Sequence, residues 1–308
     1  MDTINSSNNQ RKRIDLHLHS NLSDGENTVD EIIELAHQEC MRVVALSDHN
    51  LFAIKKKIQI GEGNDCLEII PACEFSTTYC LPLKNKTIEV HVIGIFPGGV
   101  DLEEFSEIFQ RKSEGKLNYI SAIIDQLVSL GIDISMEEVL EVKRRTGHLG
   151  RHQVADILIQ KGCVESVDEA FDRYIGNHSK YYIPTTDFIN YASMDVVVKK
   201  IKSCGGLPIL CHPFEYSFNP YEIESLVKYF TESAEGIGGI EVYYEKYLND
   251  LEKMELLKKL QIKYGLLISA ASDRHRRNQS FASCGEYSYY QEMLKIMIEN
   301  DILKEYKF

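Results

Sequence analysis

No apolar run in the 308-residue sequence approaches the roughly 18 residues needed to cross a bilayer, which excludes a helical membrane span as its organising feature. The opening MDTINSSNNQRKR has no apolar segment, so residues 1–12 are expected to be a frayed tail and not a secretory signal. There is no CxxC pair. The eight cysteines (Cys40, Cys66, Cys73, Cys80, Cys163, Cys204, Cys211 and Cys284) are scattered, as suits small reduced side chains in a cytoplasmic protein. Positive charge is scarce: 34 Lys and Arg stand against 47 Asp and Glu, a net charge of −13. That balance argues against an anionic membrane or an extended nucleic-acid duplex as partner. It leaves room for a small anion, because bound metal ions can reverse the sign locally. No GxSxG motif or other serine or cysteine nucleophile stands out, and there is no internal repeat.

What is present is alternation. Strand-like apolar runs at 13–20, 42–49, 67–77, 88–96, 206–213, 236–244 and 265–273 are interleaved with helix-period stretches. In TVDEIIELAHQEC, for example, Val29, Ile32, Ile33 and Ala36 share one face. Continuous Ile/Val/Leu runs predict strands covered on both faces, as in a parallel sheet. Seven such strands with helical crossovers predict an α/β fold, a (β/α)7 barrel. The rhythm breaks over 101–191, which is strongly helical. This stretch is expected to be a helical insertion, a cap beside a barrel made of 13–100 and 192–308.

Six of the ten histidines fall at the C-terminal ends of predicted strands: His17, His19, His49, His91, His212 and His275. In a parallel barrel those ends open on one face, where barrel active sites lie. Asp24 just after the first strand, Glu74 in PACEFS and Asp273 in ASDRH share this placement. Alternation along the first strand puts Asp15, His17 and His19 on one face and Leu16 and Leu18 on the other. His17 and His19 can then grip one ion, with Asp15 orienting an imidazole from behind. Asp273 and His275 repeat the i, i+2 pattern. One HxH alone is a weak signal. Its recurrence with acids on successive strand ends points to a multinuclear metal site, whose nitrogen and oxygen donors suit Zn²⁺, Mn²⁺ or Fe.

These residues lie in DLHLHSNLSDG, ALSDHN, IIPACEFS, VHVIGIF, GGLPILCHP, GIGGIEVYY and SAASDRH. The segments resemble the PHP (polymerase and histidinol phosphatase) family of metal-dependent phosphoesterases. GRHQVADILIQKG and EAFDRYIGNHSKYYIP, in the insertion, are similar to the branch acting on 5′-mononucleotides, nucleoside 3′,5′-bisphosphates and short RNA ends. The resemblance implies a distorted seven-stranded barrel holding three divalent ions. His17, His19, Glu74 and Asp273 would surround one. Glu74 would bridge to a second with His91 and His212, and Asp24, His49 and His275 would hold the third. Departures are visible. The branch usually has Arg-Pro-His where Arg151-His152-Gln153 stand here, the usual SDFHG is SDRHRR, and an arginine often found after the HP pair is replaced by Phe214 and Glu215.

Three carboxylates against three divalent ions leave roughly +3, an anion trap suited to phosphate. The reaction expected is hydrolysis of a nucleotide phosphomonoester by attack of a metal-bound hydroxide, with Asp24, His212 and Asp273 as catalytic residues. Arg151, at the start of a helical run, either grips a phosphate or pairs with an acid there. His152 and Arg274 are the other candidate substrate-binding residues, with strand alternation leaving open whether Arg274 faces the ions. His148 stays open, and His37 and His178 read as surface residues. Two rival readings are a phosphatase for histidinol phosphate or another small phosphomonoester, and a non-catalytic metal-binding module.

Overall fold

All seven predicted runs form strands. In chain order the strands are β1 (Arg13–Leu18), β2 (Met41–Leu46), β3 (Ile58–Ile60), β4 (Leu67–Leu81), β5 (Lys86–Ile95), β6 (Leu207–Leu210), β7 (Gly239–Tyr244) and β8 (Leu267–Ala271). The short β3, which no apolar pattern announced, pairs antiparallel with β4. The computed structural model describes residues 12–82, 84–146 and 149–303. Residues 1–11 of the expected tail, and His148, lie outside the described residues.

The strands hydrogen-bond in the order β1-β2-β4-β5-β6-β7-β8. Beyond β8 the sheet curls back onto β1. The Asp273 N–H donates to the His17 carbonyl (3.0 Å), and the His19 N–H donates to the Arg274 carbonyl (3.1 Å). The result is a nearly closed, distorted barrel. β1, β2 and β4 run parallel, as do β6, β7 and β8. The all-parallel arrangement expected above does not hold, because β5 is antiparallel to both β4 and β6. The physical reason is the short link between Leu81 and Lys86, which can close a hairpin but cannot make a crossover. His91 is therefore mid-strand rather than at a C-terminal end. It reaches the same rim because its strand arrives from the other direction.

The helices are α1 (Val29–Gln38), α2 (Ser106–Ser129), α3 (Met136–Thr146), α4 (Arg151–Gln160), α5 (Val167–Ala170), α6 (Met194–Ser203), α7 (Pro220–Ser233), α8 (Leu251–Tyr264) and α9 (Tyr287–Glu299). α1 begins with a capping box, in which Glu31 N–H donates to Thr28 Oγ1 and Thr28 N–H to the Glu31 carboxylate. Ile14, Leu16, Val43, Ile70, Ile93 and Ile209 form one core cluster with Tyr290, Met293, Leu294 and Met297 of α9. Between Tyr119 and Ile175 a separate cluster joins residues of α2 to α5, with no strand residue in it. No described helix is long and apolar enough to cross a membrane, and no disulfide joins any of the eight cysteines.

β1 carries an irregularity that matters for the site. Asp15 pairs with Val44 and Leu18 with Leu46, so β1 advances three residues for two on β2. Such a bulge breaks the two-residue alternation. Ile14 and Leu16 accordingly join one hydrophobic cluster while Leu18 joins another.

Candidate metal centre

Glu74, fully buried in β4, stands at the middle of the strand ends. Its Oε1 lies 2.7 Å from His91 Nδ1 and 3.0 Å from His212 Nε2. Its Oε2 lies 2.9 Å from His49 Nδ1, 3.2 Å from His19 Nε2 and 3.3 Å from His17 Nε2. Asp273 Oδ1 approaches His19 at 3.3 Å and His17 and His275 at 3.4 Å. Asp24 Oδ1 faces His275 Nε2 (3.3 Å) and His19 Nδ1 (3.5 Å), and its Oδ2 faces His49 Nε2 (3.5 Å). The structure thus gathers all nine residues expected at the metal site into one cluster.

Local sequence explains how a loop residue joins it. In the SDG turn the Gly25 N–H bonds to the Ser20 carbonyl, and a Cβ at Gly25 would meet the His19 carbonyl oxygen at 2.2 Å. Only glycine allows that approach, which folds Asp24 back over the end of β1. Asp48, buried in ALSDHN, anchors the turn by accepting from the Ser20 N–H and the hydroxyls of Ser20 and Ser23. Two cluster residues sit in strained backbone: His212 has φ +25° and Asp273 φ +52°. Strain of this kind persists where surrounding contacts enforce it, and it concentrates at functional sites.

Sequence reasoning missed the residue that enforces one of them. Glu241, fully buried in β7, accepts from His17 Nδ1 through Oε1 (2.7 Å) and from the His212 N–H through Oε2 (2.7 Å). The signal was a lone acid in the apolar strand GIEVYY. The orienting role expected of Asp15 belongs to Glu241. Just before the bulge, Asp15 accepts instead from the backbone N–H groups of His17, Ser272 and Ala282. Glu89, also missed, faces His91 Nε2 at 3.3 Å and accepts from the Thr185 hydroxyl. The Tyr244 hydroxyl donates to Asp273 Oδ2 (2.7 Å).

Burial opposes ionisation of Asp24, Glu74 and Asp273, but the surrounding imidazoles outweigh it and hold all three well below the usual carboxylate range. Burial likewise opposes protonation of His19 and His91. Their carboxylate neighbours prevail and push both up to about 10, and His17 is raised well above its ordinary value in the same way. Protons here balance a dense knot of buried charge, a task that divalent cations would take over. The donor set fits such ions. His17 Nε2 and His19 Nε2 face each other at 3.0 Å. Glu74 Oε2, His19 Nδ1 and His212 Nδ1 are buried without a hydrogen bond. Candidate ligand atoms of His19, Asp24, His49 and His275 lie within 4.8 Å of one another, as do those of His17, His19 and Glu74, and those of His49, Glu74 and His91. Cys211 stands equally near His17 and His212, and burial raises its thiol pKa well above the ordinary value.

A cavity of about 250 Å³ opens on the cluster, lined by Glu74, His91, His212 and Asp273 below and by Arg151, Phe171 and Asn177 of the helical segment. Arg151 Nη1 donates to the Ile175 carbonyl (3.1 Å) and to Asn177 Oδ1 (2.8 Å), and its guanidinium lies 5.3 Å from the Phe171 ring centroid. No acid holds it. His152 faces Asp24 Oδ2 at 3.7 Å and the His275 ring at 6.1 Å, and burial lowers its pKa to about 4. Gln153 is buried in α4. Arg274 is a correction. Expected to bind substrate, it turns away from the histidine–carboxylate cluster into a buried niche, donating to the carbonyls of Gln279 and Arg277 and to Asn27 Oδ1. His178 is exposed as expected, yet it lines the cavity and bonds Ser217 Oγ at 3.0 Å.

Known proteins resemble this chain over most of its length. A 5′-3′ exoribonuclease from Haemophilus influenzae is 25% identical over 264 residues, covering 86% of this chain and 90% of the relative. A 3′,5′-nucleoside bisphosphate phosphatase from Chromobacterium violaceum is 26% identical over 265 residues, covering 85% and 87%. Among solved structures, a C. violaceum amidohydrolase with bound sulfate and no metal superposes with a TM-score of 0.72 at 22% identity, covering 92% of this chain and 96% of its own. The PHP domain family model matches residues 15–174, more than half of the sequence, and the chain belongs to that family.

Proposed function

We propose that this protein is a metal-dependent phosphoesterase that hydrolyses a phosphomonoester of a nucleotide: a 5′-mononucleotide, a nucleoside 3′,5′-bisphosphate or a short oligonucleotide. The observation that carries this reading is one cavity that joins a largely buried knot of nine histidine and carboxylate side chains to an arginine that no acid pairs among the described residues. The relatives named for action on nucleoside bisphosphates and on RNA support the substrate class. His17, His19, Asp24, His49, Glu74, His91, His212, Asp273 and His275 would hold the ions, three per chain, as Mn²⁺, Fe or Zn²⁺. Bound there, the ions supply Lewis-acid charge and acidify a water.

The chain's own residues do the rest. Glu241 fixes which nitrogen of His17 carries its proton, leaving Nε2 to face Glu74 and Asp273. Asp24, His212 and Asp273 border the reacting centre. Arg151, aimed by Asn177 and the Ile175 carbonyl, offers a planar fork that matches two phosphate oxygens. The helical segment 101–191 acts as a cap that carries this arginine to the barrel mouth, and the protein works in the cytoplasm. The test is turnover of a nucleoside 3′,5′-bisphosphate, AMP, a short 5′-phosphorylated RNA and histidinol phosphate by the Mn²⁺-loaded chain. Preference for a nucleotide is expected; preference for histidinol phosphate would overturn the substrate assignment.

A further inference from the structure

Two side chains of fixed positive charge line the cavity among the described residues, Arg151 from the helical segment and Lys246 from the barrel rim. Lys246 follows β7 in a short turn, Glu245–Tyr247, that is pinned on both sides. The Glu245 carboxylate accepts from the Ser283 N–H (2.9 Å) and hydroxyl (3.0 Å). Tyr247 is buried and donates its hydroxyl to Glu215 (3.1 Å). Between these anchors the Lys246 ammonium lies 5.4 Å from the Tyr244 ring centroid and 3.7 Å from Asp273 Oδ2.

That last distance is an ion-pair separation and too long for a hydrogen bond. Asp273 Oδ2 already accepts from the Tyr244 hydroxyl, and its carboxylate also faces three imidazoles. Lys246 is therefore a loose and supernumerary partner of Asp273. Its side chain is 52% exposed, so structural need does not explain a lysine at this point. The cavity also receives Asp172 and Glu215, which repel an anion, and Glu215 is partly occupied by Tyr247. An ammonium beside the histidine–carboxylate cluster offsets that repulsion where an anionic group must enter.

We propose that Lys246 is a substrate-binding residue that contacts an anionic oxygen of the phosphate. The proposal rests on the phosphoesterase reading. Its test is binding of inorganic phosphate to the full chain loaded with Mn²⁺, by calorimetry, with metal per chain measured alongside. Loss of one charge-assisted contact corresponds to about a tenfold or greater weakening. Lys246→Ala should bind phosphate that much more weakly with its metal content unchanged, and Lys246→Arg should recover most of the affinity. Phosphate binding by Lys246→Ala equal to that of the unaltered chain would overturn the proposal. Metal loss parallel to phosphate loss would also overturn it, by showing that Lys246 acts through Asp273. Failure of the unaltered loaded chain to bind phosphate would overturn the phosphoesterase reading and this proposal with it.

Discussion

Replacing Glu241 by glutamine removes one charge and almost no volume. In the native chain its two oxygens each accept a short hydrogen bond, from His17 Nδ1 and from the His212 N–H, both at 2.7 Å. A glutamine amide offers one acceptor and one NH₂ group, so one of the two donors must lose its partner. If the oxygen stays on His212, the NH₂ meets His17 Nδ1 and forces the proton onto Nε2, the nitrogen that faces Glu74 and Asp273. If the oxygen turns to His17, the His212 N–H opposes an N–H donor, and its strained backbone at φ +25° loses a support. Either outcome forfeits a charge-assisted hydrogen bond, about 1.5–3 kcal/mol. Loss of such an orienting partner typically costs metal affinity about 10–100-fold. Chelator competition with Mn²⁺ or Zn²⁺ on the folded Glu241→Gln protein reads this directly. An affinity within about twofold of the unaltered chain, a difference well below one charged hydrogen bond, would refute the orienting role.

Arg151→Ala should lower kcat/KM by about 10–100-fold through loss of charged contacts to phosphate while metal content stays level; unchanged kinetics would return Arg151 to a structural role. Metal binding should weaken as pH falls. His19 and His91, raised to about 10, are protonated at neutral pH and must each release a proton to act as ligands. The expected slope is about tenfold per pH unit for each proton displaced, measured by chelator competition between about pH 8 and pH 6. The same raised values mean that in the metal-free chain these two imidazoles stabilise the fold fully below 6.5 and lose that contribution as pH rises towards 10. Phe105→Ala should cost about 3–5 kcal/mol in urea unfolding. Phe105 is fully buried against Phe52, Phe75, Phe96 and Phe109, where the barrel meets the start of α2, and a cost below about 1 kcal/mol would contradict that packing.

The histidine–carboxylate cluster was legible because most of its residues recur at or just after strand ends, a pattern that survives without knowing the topology. Strand direction was not legible. A buried run such as TIEVHVIGI reads the same in a parallel or an antiparallel partner, and only the short link after Leu81 hints at the reversal of β5. The face assigned to Asp15 failed because alternation was carried through a bulge that apolar spacing does not reveal. Glu241 and Asp48 escaped because each works through a partner distant in sequence, His17 and Ser20 respectively. Neither belongs to a repeating spacing. Arg274 sits between two cluster residues in sequence, yet Asn27 and the Arg277 and Gln279 carbonyls draw its guanidinium the other way.

The central claim, that the histidine–carboxylate knot holds the metals which make this chain a nucleotide phosphoesterase, is tested most directly by phosphate release from a nucleoside 3′,5′-bisphosphate. The assay compares the Mn²⁺-loaded chain, the same chain stripped by chelator, and loaded His17→Ala. Release by the loaded chain, its loss on stripping, its return with added Mn²⁺, and a His17→Ala protein depleted of both metal and activity are the expected results. Equal release with and without metal, or a metal-replete and fully active His17→Ala, would contradict the claim.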